Sequence, residues 1–180
     1  MRVITGSARG RRLKTLEGSA TRPTSDRVKE TIFNIIQFDI EGRDVLDLFG
    51  GSGQLAIEAV SRGASSAICN DSAKEAIKVI RENVSHCQFE DKIIITQKDY
   101  KTLLQTSDKK FGLIFLDPPY ETKMLNESIK MIIERDLLVT GGKIVCEGPA
   151  NLELPEVELP YQKGREYPSK TMKITIYDKV

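Results

Sequence analysis

A chain of 180 residues, 39% hydrophobic and 29% charged, can bury one core, and its longest apolar runs, such as Leu113–Leu116, are far too short to cross a bilayer. The formal charge of +1 hides an uneven spread: residues 1–29 carry eight basic and two acidic side chains, +6, which leaves −5 for the remainder. Three cysteines without a CxxC pair and a single histidine, His86, argue against a metal site, a disulfide framework or a histidine-based triad.

The basic segment comes first. Residues Met1–Leu13 lack an apolar signal stretch, so a cytoplasmic protein is expected. Glycines at 6, 10 and 18 make the segment rich in turns, and no aromatic residue precedes Phe33, so contact with phosphate is a better expectation than base stacking. Arg9, Arg11, Arg12, Lys14, Arg22, Thr24 and Arg27 are the candidate RNA-binding residues. The competing view is that residues 1–14 pack as an extra hairpin on Val3, Ile4 and Leu13. Thr24 or Ser25 can cap a helix reaching about Phe38, with Val28, Ile32, Ile35 and Ile36 on one face. Residues 1–40 are thus expected to form a basic arm and a helix packed on a core of residues 41–180, one compact unit overall.

From Asp44 the pattern alternates strand and helix. Strands are expected at Asp44–Phe49, Ser66–Asn70, Lys92–Gln97, Phe111–Leu116 and Lys143–Glu147, with helices at Gln54–Arg62, Ala73–Cys87, Tyr100–Gln105 and Met124–Glu134. Two further strands, Glu156–Leu159 and Met172–Tyr177, have no helix between them and should pair antiparallel through a long loop. The fold class is therefore α/β, a doubly wound sheet with a C-terminal antiparallel hairpin, and its ligands belong at the carboxyl ends of the strands.

The chemistry-bearing motifs all fall at those ends. Asp47-Leu48-Phe49-Gly50-Gly51-Ser52-Gly53 turns a strand into a helix, where Gly51, Ser52 and Gly53 let the backbone pass close under a ligand. The same turn fits a dinucleotide fingerprint, and a nicotinamide oxidoreductase is a rival reading. A carboxylate at Asp47, however, would repel a pyrophosphate and suits a cationic ligand. S-adenosylmethionine carries an ammonium and a sulfonium and no phosphate. Asp71 closes the next strand, where an acid can accept from ribose hydroxyls or cap a helix. Asp99, beside Tyr100, follows the third strand, where it can hold an adenine amino group or act as an N-cap. Asp117-Pro118-Pro119-Tyr120 follows the apolar strand Phe111–Leu116. Neither proline has an N–H, so the Pro118 carbonyl and the Asp117 carboxylate can accept both hydrogens of an exocyclic amine, and Tyr120 can stack on a flipped base.

The pairing of this tetrapeptide with the glycine turn resembles the amino-group methyltransferases that act on nucleic acids. Arg2-Val3-Ile4-Thr5-Gly6, Gly10-Arg11-Arg12-Leu13, the run Thr21–Glu30, Val45–Gly53 and Ser61-Arg62-Gly63-Ala64 are similar to the RsmD family of 16S rRNA guanine-N2 methyltransferases. The resemblance covers nearly the whole chain. It departs at Gly50, where alanine is usual, and at Tyr167-Pro168-Ser169, where the family usually has Tyr-Gly. It implies a Rossmann-like, seven-stranded class I methyltransferase fold, S-adenosyl-L-methionine as cofactor, and a guanine of 16S rRNA in a partly assembled small ribosomal subunit as substrate, with no metal and no membrane. Asp117, Pro118, Pro119 and Tyr120 then carry the chemistry, and Asp47, Phe49, Gly51, Ser52, Gly53, Asp71, Asp99 and Tyr100 the cofactor. Two alternatives stand beside it: a DNA adenine-N6 methyltransferase and a non-catalytic RNA-binding or ribosome-assembly module.

Overall fold

The computed structural model describes residues 1–16, 26–119 and 122–180. The elements in chain order are α1 (Asp26–Ile35), β1 (Asp44–Asp47), α2 (Gln54–Ser61), β2 (Ser66–Asn70), α3 (Lys74–Cys87), β3 (Ile93–Thr96), α4 (Tyr100–Thr106), β4 (Phe111–Leu116), α5 (Thr122–Glu134), β5 (Leu138–Pro149), β6 (Tyr161–Pro168) and β7 (Met172–Lys179). The strands form one sheet in the order β3-β2-β1-β4-β5-β7-β6. β1 to β5 run parallel, and β7 inserts antiparallel between β5 and β6. β4 is wholly buried because helices cover both faces, which is why Phe111–Leu116 contains no polar side chain. One cluster joins the sheet to α1, α2 and α3; the other joins it to α4 and α5.

The departures from expectation lie mostly at the C-terminal end. The eleventh element is not Glu156–Leu159 but Tyr161–Pro168. Pro155 and Pro160 bracket the expected strand and supply no N–H to a ladder, whereas the polar Gln162–Tyr167 forms the edge of the sheet and needs only one apolar face. The hairpin between β6 and β7 is closed not by a long loop but by residues 169–171, with the Ser169 N–H donating to the Met172 carbonyl at 2.7 Å. α1 stops at Ile35 rather than Phe38, and Phe38 is 92% exposed. β1 ends at Asp47 rather than Phe49, and β5 is longer than Lys143–Glu147. The expected cap at Thr24 or Ser25 lies outside the described residues.

The N-terminal segment packs on the sheet's helices rather than standing away from them. Arg2 and Arg12 form an antiparallel bridge, and Val3, Ala8 and Leu13 enter the same cluster as α1 to α3. Ile4 is half-buried, so its share of this core is smaller than expected. The polar fastening is the Glu58 carboxylate of α2, fully buried, which accepts from the Ile4 N–H at 2.8 Å, the Thr5 N–H at 3.0 Å and Arg62 Nε at 2.8 Å. Gly6 completes it. At φ +88°, an added Cβ would lie 1.7 Å from the Ser61 carbonyl oxygen, which also accepts from the Ser7 N–H. Gly6→Ala is expected to cost about 1–3 kcal/mol through this overlap and the left-handed backbone, lowering the thermal midpoint by roughly 2–4 °C per kcal/mol. A melting curve superimposable on wild type would show that the segment does not dock through this turn.

Candidate active site

The carboxyl ends of β1, β2 and β4 gather the predicted acids. Asp47 is 1% exposed, and its Oδ2 accepts from the Ala56 N–H at 3.2 Å. It thereby serves the first turn of α2, whose cap residue Gly53 has no side chain to do so. Its Oδ1 is buried with no hydrogen-bond partner among the described residues. Burial, opposed by the Ala56 hydrogen bond and reinforced by Asp117 and Asp71, pushes the carboxyl up to about 7. A cation would pull it down and satisfy the orphaned oxygen.

The glycine turn between β1 and α2 is shaped around an opening. Gly51 has φ +56°, and a Cβ there would meet nothing within 4 Å, so its backbone borders empty space. Gly53 has φ +78° and closes against Ile80. Gly50 is held differently: an added Cβ would lie 2.6 Å from Cys69 Sγ. The glycine is therefore matched to the cysteine behind it. Ser52 is buried, and its carbonyl accepts from Asn83 Nδ2 at 2.8 Å. The same amide donates to the Lys14 carbonyl at 3.0 Å, and Asn83 Oδ1 accepts from the Lys14 N–H at 2.8 Å. Asn83, which sequence reasoning passed over as one more residue of a helix, thus ties the N-terminal segment to the glycine turn.

Asp71 stands two residues before Ala73, the N-cap of α3, and both of its oxygens accept from backbone N–H groups. Its Oδ2 accepts from the Gly51 N–H at 2.9 Å and its Oδ1 from the Ala73 N–H at 2.9 Å, so it braces the turn and the start of α3. Each oxygen keeps a lone pair for a ligand hydroxyl. Beside it Asn70, also missed from sequence, donates to the Leu48 and Lys98 carbonyls at 3.1 and 3.0 Å and accepts from Thr96 and the Lys98 N–H, locking three strand ends together. Asp99 is an N-cap, accepting from the Lys101 N–H at 2.9 Å. Phe49 and Tyr100 pack with ring centroids 5.5 Å apart at 44°. The Tyr100 hydroxyl donates to Glu127 at 2.5 Å; that bond and Lys101 pull the Glu127 carboxyl down to about 2.

Asp117 and Pro118 are half-buried and Pro119 is exposed at the end of β4; Tyr120 lies outside the described residues. Two buried acids, Glu58 of α2 and Glu147, carry no motif in the sequence. Glu147, 7% exposed on β5, was read only as the end of a strand. The available signal was its spacing, an acid two residues beyond a core valine, as Asp47 is beyond Val45 and Asp117 beyond Phe115.

The basic residues divide into two groups. Arg11 donates to the His86 carbonyl and to Gln88 at 3.5 Å, and Lys14 pairs with Glu82 at 2.7 Å, so both fasten the segment to α3. Arg9, Arg12 and Arg27 are exposed. Arg22 and Thr24 lie outside the described residues.

The sheet order, with its single reversed strand next to β5, and the glycine turn between β1 and α2 define a class I methyltransferase fold. The family described as Conserved hypothetical protein 95 matches residues 1–178. A protein of Haemophilus influenzae named ribosomal RNA small subunit methyltransferase D is 34% identical over 150 residues, covering 82% of this chain and 78% of that protein. Its namesake in Escherichia coli strain K12 is 30% identical over 166 residues, covering 92% and 83%. Among solved structures, an Escherichia coli chain provisionally assigned as methyltransferase yhhF superimposes with a TM-score of 0.89 at 26% identity, covering 99% of this chain and 97% of that one. A conserved hypothetical protein of Streptococcus pyogenes gives 0.79 at 32% identity, covering 85% and 96%. The chain belongs to the Conserved hypothetical protein 95 family, the RsmD family to which its motifs point.

Proposed function

We propose that this protein methylates the exocyclic N2 amine of a guanine in small-subunit ribosomal RNA, with S-adenosylmethionine as donor and a partly assembled subunit as the natural substrate. The observation that carries the reading is the orphaned, buried Asp47 oxygen beside a glycine turn, one strand away from Asp117-Pro118. The names of the relatives supply the RNA, and one solved structure with the same fold, 16% identical at a TM-score of 0.69, is described as complexed with SAH. S-adenosylmethionine would bring a methyl group already activated on a sulfonium. Asp47 would hold the cationic end of the donor, Gly51 and Gly53 would admit it against the backbone, and Asp71 would take the ribose hydroxyls while bracing the turn. Asp117 and the Pro118 carbonyl would hold the amine's two hydrogens, directing its lone pair at the methyl group, and Asp117 would offset the positive charge that develops on nitrogen. Mass spectrometry of rRNA nucleosides from a strain lacking the gene tests this: N2-methylguanosine should fall by one site per small subunit and return with a plasmid copy. An unchanged modification profile overturns the proposal.

The Asp47 assignment has a pH signature. Its carboxyl stands near 7 without ligand, and a bound cation lowers it, so binding releases a proton. Affinity for S-adenosylmethionine should rise with pH up to about 7 and then level off, falling by up to about tenfold per unit on the acid side. Asp47→Asn should flatten the dependence. Calorimetric titration across pH 5.5–8.5 checks this, and a wild-type affinity independent of pH would remove Asp47 from the cation's contacts.

Exposure supports Arg9 and Arg12 as the RNA contact. Arg9→Ala with Arg12→Ala should weaken RNA binding and reduce the slope of log affinity against log salt by about 0.7 per lost contact. Arg11→Ala is expected to act mainly on stability, through its hydrogen bonds to α3. A salt series on the double variant that superimposes on wild type would move the RNA contact elsewhere.

A further inference from the structure

Glu147 is a buried acid for which the proposed reaction has no role. Its Oε2 is buried with no hydrogen-bond partner among the described residues. Leaving a buried oxygen unpaired costs about 1–3 kcal/mol, a cost that a bound substrate donor or acceptor would relieve. Burial, and after it the neighbouring Asp117, pushes the carboxyl up to about 8, which favours its protonated form.

The sheet decides which molecule it meets. Leu116 of β4 pairs with Cys146 of β5, so Asp117 and Glu147 follow side by side. Phe115 and Val145 belong to the cluster under α1 to α3, Leu116 and Cys146 to the opposite one. Alternation along the strands returns Asp117 and Glu147 together to the first face. In the order β3-β2-β1-β4-β5, the residues assigned to the cofactor lie at the ends of β1, β2 and β3, on one side of Asp117, and Glu147 lies on the other. A group held at Asp117 and extending away from the cofactor therefore reaches Glu147.

We propose that Glu147 determines base specificity by recognising the N1–H and O6 edge of guanine. The inference rests on the reading that the guanine N2 amine is the methyl acceptor. In guanine the N1–H is adjacent to that amine, and O6 follows it. With the amine on Asp117 and Pro118, the N1–H comes next along the sheet, toward a strand about 4.8 Å away. A neutral carboxyl offers one acceptor and one donor, the complement of N1–H and O6. 2-Aminopurine keeps the 2-amino group but has a bare acceptor at N1 and no O6. Adenine likewise has no hydrogen on N1. Either base leaves at least one Glu147 oxygen unpaired.

The experiment compares single-turnover methylation of small-subunit rRNA carrying either guanosine or 2-aminopurine riboside at the mapped position. Wild type should prefer guanosine by about tenfold or more, the equivalent of one hydrogen bond. Glu147→Leu removes donor and acceptor with little change of volume, so the preference should collapse toward unity through loss of the guanosine rate. Glu147→Gln restores one acceptor and one donor and should recover most of the preference. Because each ratio is taken within one variant, a reduced folded fraction cancels. A Glu147→Leu enzyme that keeps the wild-type preference overturns the assignment while leaving the guanine reading intact. A wild-type enzyme that methylates neither RNA overturns the guanine reading, and this inference with it.

Discussion

Asp117→Ala should slow single-turnover methylation by on the order of 10²–10³-fold while leaving the affinity for S-adenosylmethionine close to wild type. The separation follows from position. Asp47 ends β1, Gly51 lies in the turn after it and Asp71 follows β2, whereas Asp117 follows β4 and sits between them and Glu147. Removing its carboxylate takes away an acceptor for the amine and the negative charge that meets the nitrogen as it becomes cationic. The backbone of Pro118 survives, so the base can still bind by its carbonyl. Rates at saturating RNA, paired with calorimetry on the same preparation, separate the two effects. An Asp117→Ala enzyme with wild-type turnover would remove this residue from the chemistry.

The parallel half of the fold was legible because its signals are local. Phe111–Leu116 announces a strand buried on both faces, and the acid or glycine after each strand marks the ligand edge. The C-terminal strands were less legible because β6 is an edge: Lys163, Arg165 and Glu166 resemble a loop until β7 supplies their ladder partners. Residues that act through long-range contacts were harder still. Asn83 and Asn70 look like any polar residue of a helix and a strand, and their bonds cross 31 to 69 and 22 to 28 positions of sequence. Charge counting correctly marked residues 1–29 as basic but gave no means of dividing them. Arg11 and Lys14 face partners on α3 that only the fold brings near, while Arg9 and Arg12 remain exposed. Among the described residues of the segment, Val3, Ala8 and Leu13 pack into the core, and Arg9, Arg12 and Arg27 are exposed.

That division rests on Glu58, and Glu58→Ala is expected to be the most destabilising single change, about 3–5 kcal/mol. The carboxylate is fully buried and has four donors: the Ile4 and Thr5 N–H groups, Arg62 Nε, and Lys29 Nζ at 3.5 Å. Lys29 is itself fully buried, and burial already lowers its pKa against the opposing pull of Glu58. Alanine would leave that ammonium without its counter-ion and two backbone N–H groups without an acceptor. Among the described residues, the Arg2 carbonyl, at 2.5 Å from Lys29 Nζ, and the charge of Asp26 would remain to it. The thermal midpoint should fall by roughly 2–4 °C for each kcal/mol, and residues 1–16 should become open to proteolysis below the midpoint. Replacing both charges, Glu58→Ala with Lys29→Met, should recover a large part of the loss, because removing a whole buried pair is far less costly than stranding one member. Melting curves of wild type, the single variant and the double variant decide the matter. If the single variant melts with wild type, or if the double variant is worse by the sum of two independent losses, Glu58 is not the anchor of the N-terminal segment.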